Sequence, residues 1–152
     1  MFEFIAPMSG KVISLSQVPD EIFSSKMAGE GVAIDPIDDL VLAPAEGELS
    51  LILESNHAFC MKLDNGIVIV VHIGVDTVEL KGDGFQRLIE SGVRVKAGEP
   101  VIKLDREKIL AKGYSLITPV LITNMERVTE KKYYENIDVV AGKDVIMSYK
   151  VK

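Results

Sequence analysis

Ala58-Phe59-Cys60-Met61-Lys62-Leu63-Asp64-Asn65-Gly66-Ile67-Val68-Ile69-Val70-Val71-His72-Ile73 is the stretch that decides the fold. Two apolar runs flank a short polar break, and Asn-Gly in such a break is the strongest short-range hairpin signal, because a type I′ turn needs φ > 0 at both central residues. With Asn65-Gly66 as a two-residue loop, Asp64 pairs with Ile67 and His57 falls opposite Gly74. His72 is then the diagonal neighbour of His57 on the same face. With Asp64-Asn65 as the loop, His57 lies directly opposite His72. Only a slip by one residue, as in a three-residue loop, sends the two to opposite faces. Residues 67–73 are apolar on both faces, so this strand is expected at the centre of a sandwich rather than half-solvated.

The same punctuation runs outward along the chain. Gly, Pro and Asp recur between β-branched runs, and strands are predicted over 2–5, 10–14, 32–35, 40–42, 47–53, 58–63, 67–73, 100–105, 120–124 and 144–150. Helices are predicted over 84–90, before Ser91-Gly92, and over 105–112, stopped at Gly113. Two internal echoes stand out. Ala6-Pro7-Met8-Ser9-Gly10 returns as Ala43-Pro44-Ala45-Glu46-Gly47, and Val95-Lys96-Ala97-Gly98-Glu99-Pro100-Val101-Ile102 returns as Val139-Val140-Ala141-Gly142-Lys143-Asp144-Val145-Ile146. Each Pro-x-x-Gly turns the chain into a strand and each Ala-Gly makes a tight corner. The expectation is an all-β fold, an antiparallel β-sandwich or barrel of two similar interlocked β units with a few short helices. Chance recurrence of turn motifs in a β protein is the alternative.

At 152 residues and 47% hydrophobic, the chain has enough apolar material for a single domain, 1–152, and too little length for two. Seventeen Lys and Arg against 23 Asp and Glu leave a net charge of −6, which argues against nucleic acid as a partner. One cysteine forms no internal disulfide and suits a reducing compartment. No apolar run approaches spanning length, so stable membrane insertion is not expected. A cytoplasmic chain follows from these points. The start at Met1 favours a free subunit over a piece excised from a larger permease chain.

There are only two histidines, His57 and His72, and both belong to this hairpin. Imidazole serves as nucleophile, proton carrier or metal ligand near neutral pH. A buried histidine satisfied by a backbone carbonyl is the plain alternative. Zinc hydrolysis needs three protein ligands, and the third would be a carboxylate such as Asp76, with no His-x-His or His-Glu-x-x-His to support it. Cys60, three residues from His57 on a strand, is expected to face the other way and to be a small core residue. Phosphoryl relay asks for one imidazole as nucleophile, a second group to balance charge and an apolar surround for docking. The pair meets that demand.

The residues from Gly66 to Gly82, Gly66-Ile67-Val68-Ile69-Val70-Val71-His72-Ile73-Gly74-Val75-Asp76-Thr77-Val78-Glu79-Leu80-Lys81-Gly82, resemble the active-site signature of the glucose-type enzyme IIA component of the bacterial phosphoenolpyruvate-dependent sugar phosphotransferase system. Asn56-His57-Ala58-Phe59 resembles the motif of the second histidine in that family. Val18-Pro19-Asp20 with Phe23, Gly29-Glu30-Gly31-Val32-Ala33-Ile34, and Thr118-Pro119-Val120 with Thr123-Asn124-Met125 extend the likeness over nearly the whole chain.

The resemblance implies that His72 takes a phosphoryl group on Nε2 from the phosphocarrier protein HPr and passes it to a cysteine on the IIB domain of a sugar permease. It implies that His57 stabilises the phosphoryl group, that Ser55 orients His57 where relatives more often have threonine, and that the carbonyl of Gly74 holds Nδ1 of His72. It further implies an apolar docking patch of Phe23, Met27, Ala28, Leu53, Val70 and Val78, with Asp20 and Asp76 on its rim. Leu53 and Val70 are aliphatic where relatives often carry an aromatic. The expected molecule is a monomer without a cofactor or a required metal, although His57 and His72 offer zinc two ligands if a partner supplies another. Relatives' N-terminal extension, able to become an amphipathic membrane-binding helix, has no counterpart before the first strand. A non-catalytic regulator acting on transporters or kinases through the same surface is the alternative. A biotinyl or lipoyl carrier, hinted at by the Ala6 to Gly10 turn, would need a lysine at a hairpin tip, and the best tip here is Asp64-Asn65-Gly66.

Overall fold

The computed structural model describes residues 1–152. Strands form wherever β-branched runs lie between the Gly- and Pro-marked turns: β1 (Phe2–Ile5), β2 (Gly10–Ser14), β3 (Glu30–Pro36), β4 (Leu40–Leu42), β5 (Gly47–Ile52), β6 (Ala58–Lys62), β7 (Val68–His72), β8 (Phe85–Arg87), β9 (Val93–Val95), β10 (Pro100–Leu104), β11 (Thr118–Ile122), β12 (Val128–Tyr133), β13 (Ile137–Val139) and β14 (Val145–Val151). Two short helices, α1 (Glu21–Ser24) and α2 (Arg106–Ala111), and three 3₁₀ turns at Leu15–Gln17, Thr77–Leu80 and Met125–Arg127 complete the chain. All strand pairs are antiparallel.

An eight-stranded sheet, order β13-β2-β3-β11-β7-β6-β5-β9, is accompanied by two three-stranded sheets, β1-β14-β12 and β4-β10-β8. The sequence echoes fall at equivalent corners. Gly10 pairs with Val139 and Gly47 with Val95, while Gly142 N–H donates to the Ala6 carbonyl (2.9 Å) and Gly98 N–H to the Ala43 carbonyl (2.8 Å). Two like β units therefore interlock, each giving four neighbouring strands to the large sheet.

Pleating divides the residues of the hairpin between two apolar layers. Phe59, Met61, Ile69 and Val71 point into the main core with Phe4, Met8, Ile34, Ile102 and Tyr149, all essentially inaccessible. The opposite face carries a smaller cluster of Leu15, Val18, Phe23, Ala33, Val75 and Leu121. Val68, Val70 and His72 on that face are only half-buried, so β7 is central in its sheet but half-solvated, contrary to expectation. The small cluster covers β3 and β11 and reaches β7 only at His72, through Phe23.

The hairpin turn also differs from the two-residue expectation. Gly66 N–H donates to the Leu63 carbonyl (3.0 Å) and Leu63 N–H to the Ile67 carbonyl (2.9 Å), which makes Asp64-Asn65-Gly66 a three-residue loop. Only Gly66 has positive φ, at 88°. Asn65 instead uses its side chain, accepting the Ile67 N–H at 3.0 Å. The register is thus the slipped one, with Ala58 opposite His72 and Cys60 opposite Val70.

Residues 84–90 are not helical. Gly82 and Gly84 hold φ of 90° and 92°, outside the helical region, and Phe85 buries itself by pairing with Leu104 in β10. The 105–112 helix forms as α2, capped by Asp105, whose carboxylate accepts the Lys108 N–H. Strands β8, β9, β12 and β13 were absent from the sequence reading; β9, β12 and β13 are border strands, and β12 is largely exposed, so it shows little apolar alternation.

Candidate functional site: a pair of imidazoles on the open face

His72 ends β7, where the sheet gives way to a sharply bent segment with Gly74 at φ 82° and Asp76 at φ 58°. Three bonds fix this bend. Thr77 Oγ1 donates to the Ile73 carbonyl (2.5 Å), Val75 N–H to the Ser115 carbonyl (3.0 Å), and the Gly74 carbonyl lies 2.8 Å from His72 Nδ1. A carbonyl only accepts, so Nδ1 carries the proton and Nε2 keeps a free lone pair. Position 74 admits only glycine, because a Cβ there would stand 2.6 Å from Thr77 Cγ2 and 2.7 Å from the Ser115 carbonyl oxygen.

His57 reaches the site by a route that pairing register does not describe. In an extended strand it would point away from His72, but it lies outside β6 and directly follows Asn56, whose φ is 60°. The chain bends at His57 as it enters β6, so the strict alternation of the pleat stops at Ala58. The His57 and His72 ring centroids are 5.1 Å apart, edge to face at 82°. Ser55 Oγ is 2.5 Å from His57 Nδ1. The two-residue turn was therefore wrong while the juxtaposition it implied is right.

Both imidazoles are held neutral. Burial pushes His72 below the ordinary histidine value, partly countered by the Gly74 carbonyl and by the charges of Asp20 and Asp76. His57, 4% exposed, is pushed down by burial and then by its neighbour His72. A neutral pair is nucleophilic near pH 7, where a charged one is not.

Phe23 tilts over His72 with ring centroids 4.9 Å apart, and it is buried in the small cluster rather than open for docking as the family likeness implied. Met27 (77% exposed) and Val78 (53%) are freely accessible, while Ala28, Leu53 and Val70 are half-buried. Asp20 caps α1, its Oδ1 accepting the Ile22 N–H at 3.0 Å, whereas Asp76 begins the 77–80 turn without a side-chain cap bond and is exposed. Two further exposed apolar residues lie on elements beside the site and are not in the predicted patch: Ile22 in α1 (53%) and Leu51 in β5 (47%). Ile22 was legible as an apolar residue in the first turn after the Asp20 cap. Leu51 was hidden by a bulge between Leu49 and Leu51 that turns it toward Cys60 and Val70.

Cys60 does not face away from the site, since pairing with Val70 puts it on the side of the sheet that bears His72. Burial raises its thiol above the ordinary value and no base is bonded to it, so it is an inert, partly covered residue. No third histidine, cysteine or carboxylate joins the pair in a metal-binding group.

The fold and this surface define a class: an antiparallel β-sandwich presenting two neutral imidazoles, one locked through Nδ1, beside exposed apolar side chains. The family model for the EIIA 1 component of the phosphoenolpyruvate-dependent sugar phosphotransferase system matches residues 2–128. A glucose-specific EIIA component from Haemophilus influenzae is 42% identical, over 97% of this chain and 89% of that protein. An N-acetylglucosamine-specific EIICBA component from Klebsiella pneumoniae is 44% identical over 97% of this chain, which spans only 23% of that protein's length. The solved structure of glucose permease IIA from Mycoplasma capricolum superposes with a TM-score of 0.90 at 32% identity, covering 96% of this chain and 94% of that one. This chain therefore belongs to the glucose-type EIIA family of the sugar phosphotransferase system.

Proposed function

We propose that the chain is a phosphocarrier in coupled sugar uptake and phosphorylation, working through a phosphohistidine at His72. The N–P bond of phospho-HPr breaks as Nε2 of His72 forms its own, and a cysteine thiolate of a permease IIB domain then takes the group by the same in-line displacement. The observation that carries this reading is the commitment of His72 Nδ1 to the Gly74 carbonyl at 2.8 Å beside a second neutral imidazole. The free Nε2 is the nucleophile. With the Ser55 hydroxyl donating to Nδ1 of His57, the proton of that ring sits on Nε2, which then donates to a phosphoryl oxygen. Transfer between two protein nucleophiles is mainly positioning and charge balance, which these groups supply.

Residues 1–152 act as one domain in this scheme. Met27, Val78, Ile22 and Leu51 form the apolar part of a surface used in turn by HPr and by IIB, with Asp20 and Asp76 attracting cationic partners. No helix is long and apolar enough to cross a membrane.

The roles of the two histidines separate by experiment. His57→Gln retains acceptance of the phosphoryl group from phospho-HPr and loses onward transfer to IIB, both read as the rate of appearance or decay of the phosphorylated band. Onward transfer at the unsubstituted rate removes His57 from the mechanism.

A further inference from the structure

Arg87 lies in β8, in a different sheet from the strand that bears His72, and its guanidinium reaches across to the loop that carries Ser55 and His57. Nε–H donates to Asn56 Oδ1 at 2.9 Å and an Nη2–H to the Leu53 carbonyl at 3.3 Å. The Leu53 carbonyl also receives the Asn56 N–H at 2.8 Å, and Leu53 N–H donates to the Ala58 carbonyl at 3.0 Å. Arg87 thus braces both ends of a tight turn whose last residue, Asn56, is held at φ 60°. Asparagine is the side chain that takes this conformation most readily, and here its Oδ1 and its N–H are both tied, to Arg87 and to the Leu53 carbonyl. The same turn carries Ser55, whose Oγ lies 2.5 Å from His57 Nδ1, while the His57 carbonyl accepts the Ile73 N–H at 2.7 Å.

The remaining partner of Arg87 is incidental by comparison. Glu90 lies 3.6 Å from Nη1 with its side chain 82% exposed, a surface contact of small energetic weight. The Arg87 side chain itself is 26% exposed, and its two bonds to the loop are directed hydrogen bonds in a partly desolvated setting.

We infer that Arg87 is a positioning residue for phosphoryl transfer: through Asn56 and Leu53 it fixes the left-handed turn that aims His57 at the phosphoryl site. The inference rests on the phosphocarrier reading above. It assigns Arg87 no contact with the reacting atoms.

Arg87→Met keeps the aliphatic stem and removes both donors. Acceptance from phospho-HPr is expected at the unsubstituted rate, and onward transfer to IIB about tenfold slower, below the roughly hundredfold that a ~1 Å misplacement of a reacting group can cost. The ring-nitrogen chemical shifts of His57 move toward a mixture of tautomers while those of His72 stay in place. Ser55→Ala combined with Arg87→Met slows onward transfer no further than the worse single change, because both act through His57. Asn56→Gly accepts the same φ, removes the Oδ1 acceptor and leaves the fold undisturbed, and it slows the same step. Glu90→Gln leaves both steps unchanged.

Onward transfer at the unsubstituted rate in either Arg87→Met or Asn56→Gly overturns the inference. So does an equal slowing of acceptance and onward transfer, which marks a general loosening, or additive losses in the double variant. These results are distinct from failure of the underlying reading, in which the unsubstituted chain takes no phosphoryl group from phospho-HPr.

Discussion

His72 is specified by its surroundings more than by its identity. Gly74 supplies the carbonyl that fixes the tautomer, and that carbonyl is in place because the backbone at 74 is left-handed and packed against Thr77 and Ser115. Gly74→Ala is expected to cost about 2 to 4 kcal/mol, from left-handed strain together with overpacking, read as a lower midpoint in urea. It also slows acceptance of the phosphoryl group, because His72 then samples both tautomers. The hairpin made the two histidines legible as a pair, and the family resemblance pointed to Ser55 and Gly74, whose hydroxyl and carbonyl lie 2.5 Å and 2.8 Å from the Nδ1 atoms of His57 and His72. The burial of Phe23 was not legible, because an aromatic in a short amphipathic stretch reads equally as surface anchor or core, and only the six-residue cluster under α1 decides.

Among the elements, the hairpin shows how a local rule gives a correct neighbourhood through an incorrect register. Asn-Gly announced the turn, yet Asn65 caps the loop with its side chain instead of adopting positive φ, which adds the third loop residue. Sequence alternation then assigns His57 to the wrong face, and the bend where the chain enters β6 restores it. Strand edges in the region are secured from outside as well. Asn124 accepts the Val68 N–H at 2.9 Å and donates to the Gly66 carbonyl at 2.9 Å, bridging β11 to the start of β7. Asn124→Ala leaves those two groups without partners and is expected to destabilise the protein by about 1 to 3 kcal/mol, with hydrogen exchange rising first at Val68. Unchanged stability would show that water replaces the side chain at no cost. The helix expected over 84–90 failed for a comparable reason, since pairing with β10 outweighs the weak helical preference of Phe85-Gln86-Arg87.

At the scale of the whole molecule, the repeated turn motifs were the most reliable guide, because Gly10 and Gly47 occupy matching corners of two interlocked units and the sheet order reflects that match. What the repeats did not reveal is that the units differ where function lies: α1 and its small cluster cover one half of the open face, with Phe23 reaching His72, and leave Val68 and Val70 half-buried. The depressed basicity of both histidines also has a global consequence. Each binds its proton less readily folded than unfolded, so their contribution is complete above the unfolded value of 6.5 and is lost as pH falls from there through the folded values. Thermal midpoints are expected to drop below pH 6.5, with a shallower drop in that window for His57→Gln/His72→Gln; an identical profile in the double variant would contradict neutral burial of the pair. Incubation of the chain with phosphoenolpyruvate, enzyme I and HPr tests the central claim most directly. One acid-labile phosphoryl group per chain, absent from His72→Gln, is the result expected, and persistent labelling of His72→Gln would contradict it.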